Sequence, residues 1–451
     1  MSVNNMRSRA EIQELLEQVH RQSPLETETV YSSGTQDLSR FANNEIRQNI
    51  SQGSESLAIR TIIDGKSGVV STGRLDTESI QRAVEQAVAS ARLQKADPEC
   101  LPLQEQLEIK EQTRVDEETA ALSPEDKAEA IRQVVDGLAG QKLEAAGIFS
   151  NSNSQFAIGN SNGMFHHHAA TDAEFSITVS DGGEVSGWAE SISRRVADLD
   201  TNALATEAIE IYRRALNPEP IDPGEYTVVL PPAAVTDFLL FLTWLGFGGQ
   251  DYLEGTSPLS GKLGEQIAGS NITILDDPFH DRMSSAPFDG EGLPKKTLPF
   301  IEEGVLRQVA HDRRTANRSG LTSTGHGFPA PNPNGGYPTN LCLQPGEATI
   351  EEMIASTERG LLVTHFHYTN VVNPRDLSLT GMTRDGVFRI EDGKLTRPVH
   401  NLRFTDSVLR ILNQVEMIGR DTNYASAFFG GGFVVPALKV NGFKFSSTTN
   451  F

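Results

Sequence analysis

Cysteine is scarce in this chain: Cys100 and Cys342 are the two present among 451 residues. Two thiols make neither a disulfide framework nor a cysteine-rich metal site. Long hydrophobic runs are missing as well. The longest, FLLFLTWLGFG from Phe238 to Gly248, is far shorter than the ~20 residues that span a bilayer. The opening MSVNNMRSRAEIQELLEQVH is polar and then amphipathic, without the apolar centre of a signal peptide. Positive charge is also short. Lys and Arg number 39 against 60 Asp and Glu, a net charge of -21. That balance argues against nucleic acid and anionic membranes as partners. The expectation is a soluble, cytoplasmic protein.

What is there has the make-up of an ordinary globular chain, 37% hydrophobic and 22% charged. A length of 451 residues points to two or three domains. Ile12, Leu15, Leu16 and Val19 recur at helical spacing. Alternating segments follow, and ESLAIRTIIDGKSGVVST reads as a hairpin turning at Asp64-Gly65. Asp76-Thr77 then opens a helix with Ile80, Val84, Ala87 and Ala91 on one face. The next helix starts at Ser123-Pro124, with proline in its first turn. The strand, Asp-Gly turn, strand, helix order then recurs, so that Leu75-Asp76-Thr77 and Leu199-Asp200-Thr201 take equivalent places. The recurrence suggests two related α+β layers.

Residues 95 to 122 are polar and poor in apolar side chains, as expected of a linker. The stretch NPEPIDPGEY, Asn217 to Tyr226, holds three prolines and a glycine and marks the main boundary. Beyond it lie the strand YTVVL, the helix AAVTDFLLFLTWL, and then mostly short strands broken by Gly and Pro. The organisation expected is an N-terminal α+β domain at 1–95, a linker at 96–122, a central α+β domain at 123–220 and a β-rich domain at 221–451. The fold class is α+β, with mainly antiparallel strands in the N-terminal layers.

Three places could carry chemistry, each beside a plainer reading. His166-His167-His168 resembles a metal tract, but alternate members share a strand face and no carboxylate or thiol flanks them. A surface strand is the expectation. Asp289 and Glu291 in FDGEGLP could take up a cation or act as acid and base. The alternative is a glycine turn with solvated acids. His365 and His367 point the same way in a strand, yet a metal site needs three or four convergent ligands. A hydrogen-bonded structural pair in a half-buried strand is favoured there. The helix from Ala233 is apolar around most of its girth and so is expected to be buried; with Asp237 its one titratable group, no chemistry is expected from it. No Gly-x-Ser-x-Gly elbow, Walker loop or dinucleotide fingerprint occurs in its proper context.

FDGEGLPKKTLPFIEEGVLRQVAHDRRTA, followed by GLLVTHFHYTNVVNP, GVFRIEDGKLTRPVHNLRF and VPALKV, resembles the TldD/PmbA (TldE) family of metalloprotease-related proteins. NSNGMF and TGRLDTESI in the N-terminal half fit the same family, and the resemblance covers nearly the whole chain. It implies a peptidase assembled from two related subunits. The catalytic TldD type carries His-Glu-x-x-x-His on a helix after the first C-terminal strand, plus a late cysteine; Glu there activates zinc-bound water. In this chain Leu240, Phe241 and Leu245 fall at those positions, and no cysteine follows Cys342. ASAFFGGGFVVPALKV keeps the glycine-rich approach alone.

The resemblance therefore implies a TldE/PmbA-like subunit without its own zinc, cofactor or catalytic residue. Its expected partners are a TldD-type zinc-binding subunit and a peptide substrate, in a homo- or heterodimer. The alternatives are a homodimeric peptide-binding or structural protein, and a hydrolase using a new site around His365, His367, Asp289 and Glu291.

Overall fold

The computed structural model describes residues 6–426 and 432–449. The N-terminal part opens with α1 (Arg9–Gln22), β1 (Glu26–Ala42), β2 (Glu45–Ile63), β3 (Lys66–Thr72) and α2 (Thr77–Leu93). After a short α3 (Glu117–Ala121) the order repeats as α4 (Pro124–Gly137), β4 (Glu144–Asn160), β5 (Phe165–Ser180), β6 (Ser186–Ser193) and α5 (Thr201–Ala215). The two units are not stacked layers. Strand β1 pairs antiparallel with β4 from Glu28↔Asn160 to Phe41↔Gly147, giving one sheet in the order β3-β2-β1-β4-β5-β6.

Local chemistry explains why these elements form. Asp64 (φ 50°) and Gly65 (φ 72°) supply the two left-handed residues of the β2–β3 turn. Asp76 and Asp200 cap α2 and α5, each accepting the N–H three residues on at 2.9 Å. Ser8 with Glu11, and Ser123 with Asp126, form capping boxes on α1 and α4. Strand alternation sorts the sheet into two faces. On one, Phe149, Phe175 and Ile177 pack with Ile131 of α4 and Ala208 and Tyr212 of α5. The other face, carrying His168, Glu174, Trp188 and Glu190, turns toward the rest of the chain.

The C-terminal part begins with β7 (Gly224–Leu230), α6 (Pro232–Leu245), α7 (Gly249–Glu254), β8 (Ile274–Asp276), β9 (Leu298–Glu302) and β10 (Val305–Leu306). Next come α8 (Arg313–Ser319), β11 (Asn340–Leu343), α9 (Ile350–Ala355), β12 (Arg359–Asn373) and β13 (Ser378–Glu391). The last are β14 (Lys394–Pro398), β15 (Leu402–Ser407), α10 (Val408–Asn413), β16 (Val415–Ser426) and β17 (Gly432–Thr448). Eleven strands form one sheet, and β17 pairs with β7 as well as β15. The strands β17-β15-β13-β12-β7 thus close a ring. Short strands were expected here, but β12, β13, β16 and β17 run to 15, 14, 12 and 17 residues. The glycines that suggested breaks sit within the strands; Gly381 lets the ring of Phe404 approach the β13 backbone.

Helix α6 lies against this ring. Phe238 meets Phe366 and Phe443 at ring separations of 5.8 and 6.4 Å, and Val235, Leu239 and Leu242 are fully buried beside it. The expected buried helix is present, with one qualification. Ala233, Thr236, Asp237, Leu240 and Trp244 form a stripe that is half-buried or exposed. Residues 100–113 have neither helix nor strand; Gln112 and Arg114 fasten them to the carbonyls of Ser285 and Phe279. No helix among the described residues is long and apolar enough to cross a membrane.

Candidate functional site

Between the two sheets lies a cavity of about 990 Å³. Its walls are the free face of β5 and β6, the outer side of α5, the first turns of α6, and parts of β12 and β16. Helix α6 reaches it with Pro232, Ala233, Thr236 and Asp237. Of the positions aligned with the family's zinc motif, Phe241 is buried in the core, and Leu240 and Leu245 pack partly against it. Among the described residues no group of three or more His, Cys, Asp or Glu side chains is arranged to hold a metal. The glycine-rich approach at 427–431 lies outside the described residues.

His365 sits in the cavity wall beneath Trp188, with ring centroids 4.5 Å apart. Its Nε2 is 3.3 Å from the Asp385 carboxylate. Burial pushes the imidazolium down to about 4 despite Asp385, so the ring is neutral. A carboxylate only accepts, so the proton is on Nε2; Nδ1 is left as a buried acceptor without a partner. Asp385 also accepts from the hydroxyl of Ser186 on β6, which ties the two sheets together at this point.

His367 does not share the cavity. It lines a separate pocket of about 240 Å³ with Arg384, Asp385 and His400. Strand β12 is irregular between His367 and Asn370, and Tyr368 takes φ 58° with its side chain 74% exposed. The half-buried strand expected here therefore fails at Tyr368, because the chain twists out of the ladder.

Acids dominate the wall. Glu174 of β5 and Glu190 of β6 point to the cavity from neighbouring strands and lie within hydrogen-bonding reach. Burial, then the charge of Glu174, pushes Glu190 up to about 7. Burial likewise raises Asp237, opposed by a 2.5 Å hydrogen bond from the Thr369 hydroxyl. None of Trp188, Glu174 and Glu190 is singled out by the sequence. In EFSITVS and GWAESIS their alternation with apolar residues looks like an ordinary solvated strand face.

Asp289 and Glu291 do form a glycine turn, with Gly292 at φ 82°, but the acids are not solvated. Asp289 is 2% exposed and accepts the N–H groups of Glu291, Leu293 and Gly327 at 2.8–2.9 Å. Glu291 accepts the N–H of Arg313 at the start of α8, and burial pushes it up to about 8. No hydrogen bond or ion pair among the described residues joins either acid to His365 or His367. The histidine tract is not a surface strand. His166 lies 5.2 Å from the ring of Phe288, and His168 Nε2 is 2.8 Å from the Ser284 carbonyl. Both are buried by the C-terminal part.

Models of three domains of one metallopeptidase family match along the chain. PmbA/TldA metallopeptidase domain 1 matches residues 27–91, the central domain 104–216 and the C-terminal domain 223–447. The chain belongs to the PmbA/TldD family. It is 25% identical over 399 residues to "Metalloprotease PmbA" of Escherichia coli O157:H7, spanning 86% of each chain. It is 28% identical to "Metalloprotease" of Methanothermobacter thermautotrophicus, but over 51% of each. The fold matches the crystal structure of TldE from Thermococcus kodakarensis with TM-score 0.87 at 22% identity, covering 96% of this chain and 99% of that one.

Proposed function

We propose that this chain is a non-catalytic, TldE/PmbA-type subunit of a heteromeric zinc metalloprotease, and that its cavity holds peptide for a TldD-type partner. The observation that carries this reading is the side of α6 turned to the cavity. It offers proline, alanine, Thr236 and Asp237. Zinc hydrolysis needs three protein ligands, an open position and a base beside the bound water. One carboxylate and a hydroxyl cannot meet that demand. Peptide holding, by contrast, needs a cleft lined by apolar and polar groups, and the walls combine Trp188, Leu362 and Phe388 with carboxylates.

Purification from native lysate, followed by elemental analysis and a peptide-cleavage assay, tests this. The chain alone should carry no stoichiometric zinc and cleave nothing. Mixed with a TldD-type paralogue, it should co-elute and raise cleavage. About one zinc per chain after dialysis, lost with peptidase activity when His365 and His367 are replaced, would overturn the reading.

A further inference from the structure

The charge of the cavity points to the class of its ligand, an inference that rests on the peptide-holding reading above. Seven carboxylates line the cavity among the described residues, against one guanidinium, that of Arg214. Arg214 is itself held over the ring of Phe388, 5.9 Å from its centre. No Lys or Arg among the described residues pairs with Glu174, Glu190, Glu207 or Asp237. Anions gathered without cations repel one another, and burial sharpens that cost. Such a wall is stabilised by a positive charge brought from outside.

An independent feature points the same way. Asp237 is largely buried in the wall, and its one hydrogen bond among the described residues comes from Thr369. A carboxylate has about four acceptor sites, so most of its capacity is unused. In the same wall, His365 Nδ1 is a buried acceptor with nothing to accept. Trp188 adds an aromatic face of the kind that attracts ammonium and guanidinium groups. An ammonium or guanidinium brings several N–H donors and no acceptor, the complement of this set.

We propose that the cavity selects cationic peptides, with an ammonium or guanidinium group of the peptide held by Asp237 and by the Glu174–Glu190 pair. The positive group is either the peptide's N-terminus or a lysine or arginine side chain.

The test uses the full chain carrying Trp244→Phe, which leaves Trp188 as its single tryptophan and hence a reporter in the cavity wall. Short glycine-based peptides bearing lysine, glutamine or glutamate are titrated, each with a free or an acetylated N-terminus. A peptide carrying the held cation should bind about tenfold tighter than the acetylated glutamine peptide, which has none, and weaken as salt is raised. The acetylated glutamate peptide should not bind. Asp237→Asn and Glu190→Gln should each cut the advantage of the cationic peptide several-fold, and either variant suffices if the other fails to fold. If acetylation weakens the lysine and glutamine peptides alike, the N-terminal ammonium is the group held; if the acetylated lysine peptide keeps its advantage over the acetylated glutamine one, the side chain is. Equal binding of the acetylated lysine and acetylated glutamine peptides, with no gain from a free N-terminus, would overturn cation selection while leaving peptide holding intact. No binding of any peptide would overturn both.

Discussion

Glu190 keeps its proton to about pH 7 because it is buried beside Glu174. Its folded pKa is raised above the unfolded value, so the folded state binds more protons between about pH 4.5 and 7. Stability from this group is therefore lost as pH rises through that window. Glu190→Gln removes the loss. The variant should melt higher than wild type at about pH 8 and nearly equally at about pH 4, as measured by calorimetry. An equal shift at both values would count against the buried pair. Burial raises the pKa of Asp289 as well, but its carboxyl group is fixed by backbone donors. It accepts three backbone N–H groups that have no other partner among the described residues, and Asp289→Ala strands them. Each unpaired donor costs roughly 1–3 kcal/mol. Urea denaturation should show a large fall in stability, with no change in zinc content or peptide binding, since Asp289 lies outside the cavity wall.

At the scale of elements, two glycines hold the helices against the sheet. A Cβ at Gly68 of β3 would lie 2.3 Å from the Ala87 carbonyl oxygen of α2. A Cβ at Gly187 of β6 would lie 2.0 Å from the Ala208 carbonyl oxygen of α5. The same device serves both units, as expected of related halves. Gly68→Ala and Gly187→Ala should each cost about 1–3 kcal/mol or more by overpacking against backbone. Gly137→Ala at the end of α4 meets nothing within 4 Å and should be neutral or slightly stabilising. Thermal melts of the three variants separate these outcomes.

The helices and turns of these units were legible because their signals are local: Asp76 and Asp200 as caps, Asp64-Gly65 as a turn, the apolar girth of α6. The merging of two units into one sheet was not, since β1 and β4 pair across more than a hundred residues. For the same reason His166 and His168 looked exposed. What buries them, Phe288 and Ser284, comes from far along the chain. The acids of the cavity were hidden because strand alternation cannot say whether the polar face meets water or another sheet.

The whole molecule carries a net charge of -21, and that bears on what it can assemble with. Two copies approaching each other repel over a range set by the Debye length, about 10 Å at 0.1 M salt. A homodimer must overcome this repulsion with its interface, and salt weakens the repulsion but not the apolar contact. The isolated chain should therefore self-associate least at low ionic strength, with the dimer fraction rising as salt is added. A TldD-type partner with a complementary face should behave oppositely, binding more weakly as salt screens the attraction. Its interface should bury more than roughly 1,000 Å². Analytical ultracentrifugation of the chain alone and of the mixture, each across a salt series, measures both slopes. Association of the chain with itself that is tight at low salt, and unaffected by the presence of the partner, would favour the homodimer over the heteromeric assembly. A mixture that dissociates as salt rises, while the chain alone does not, would favour the heteromeric assembly.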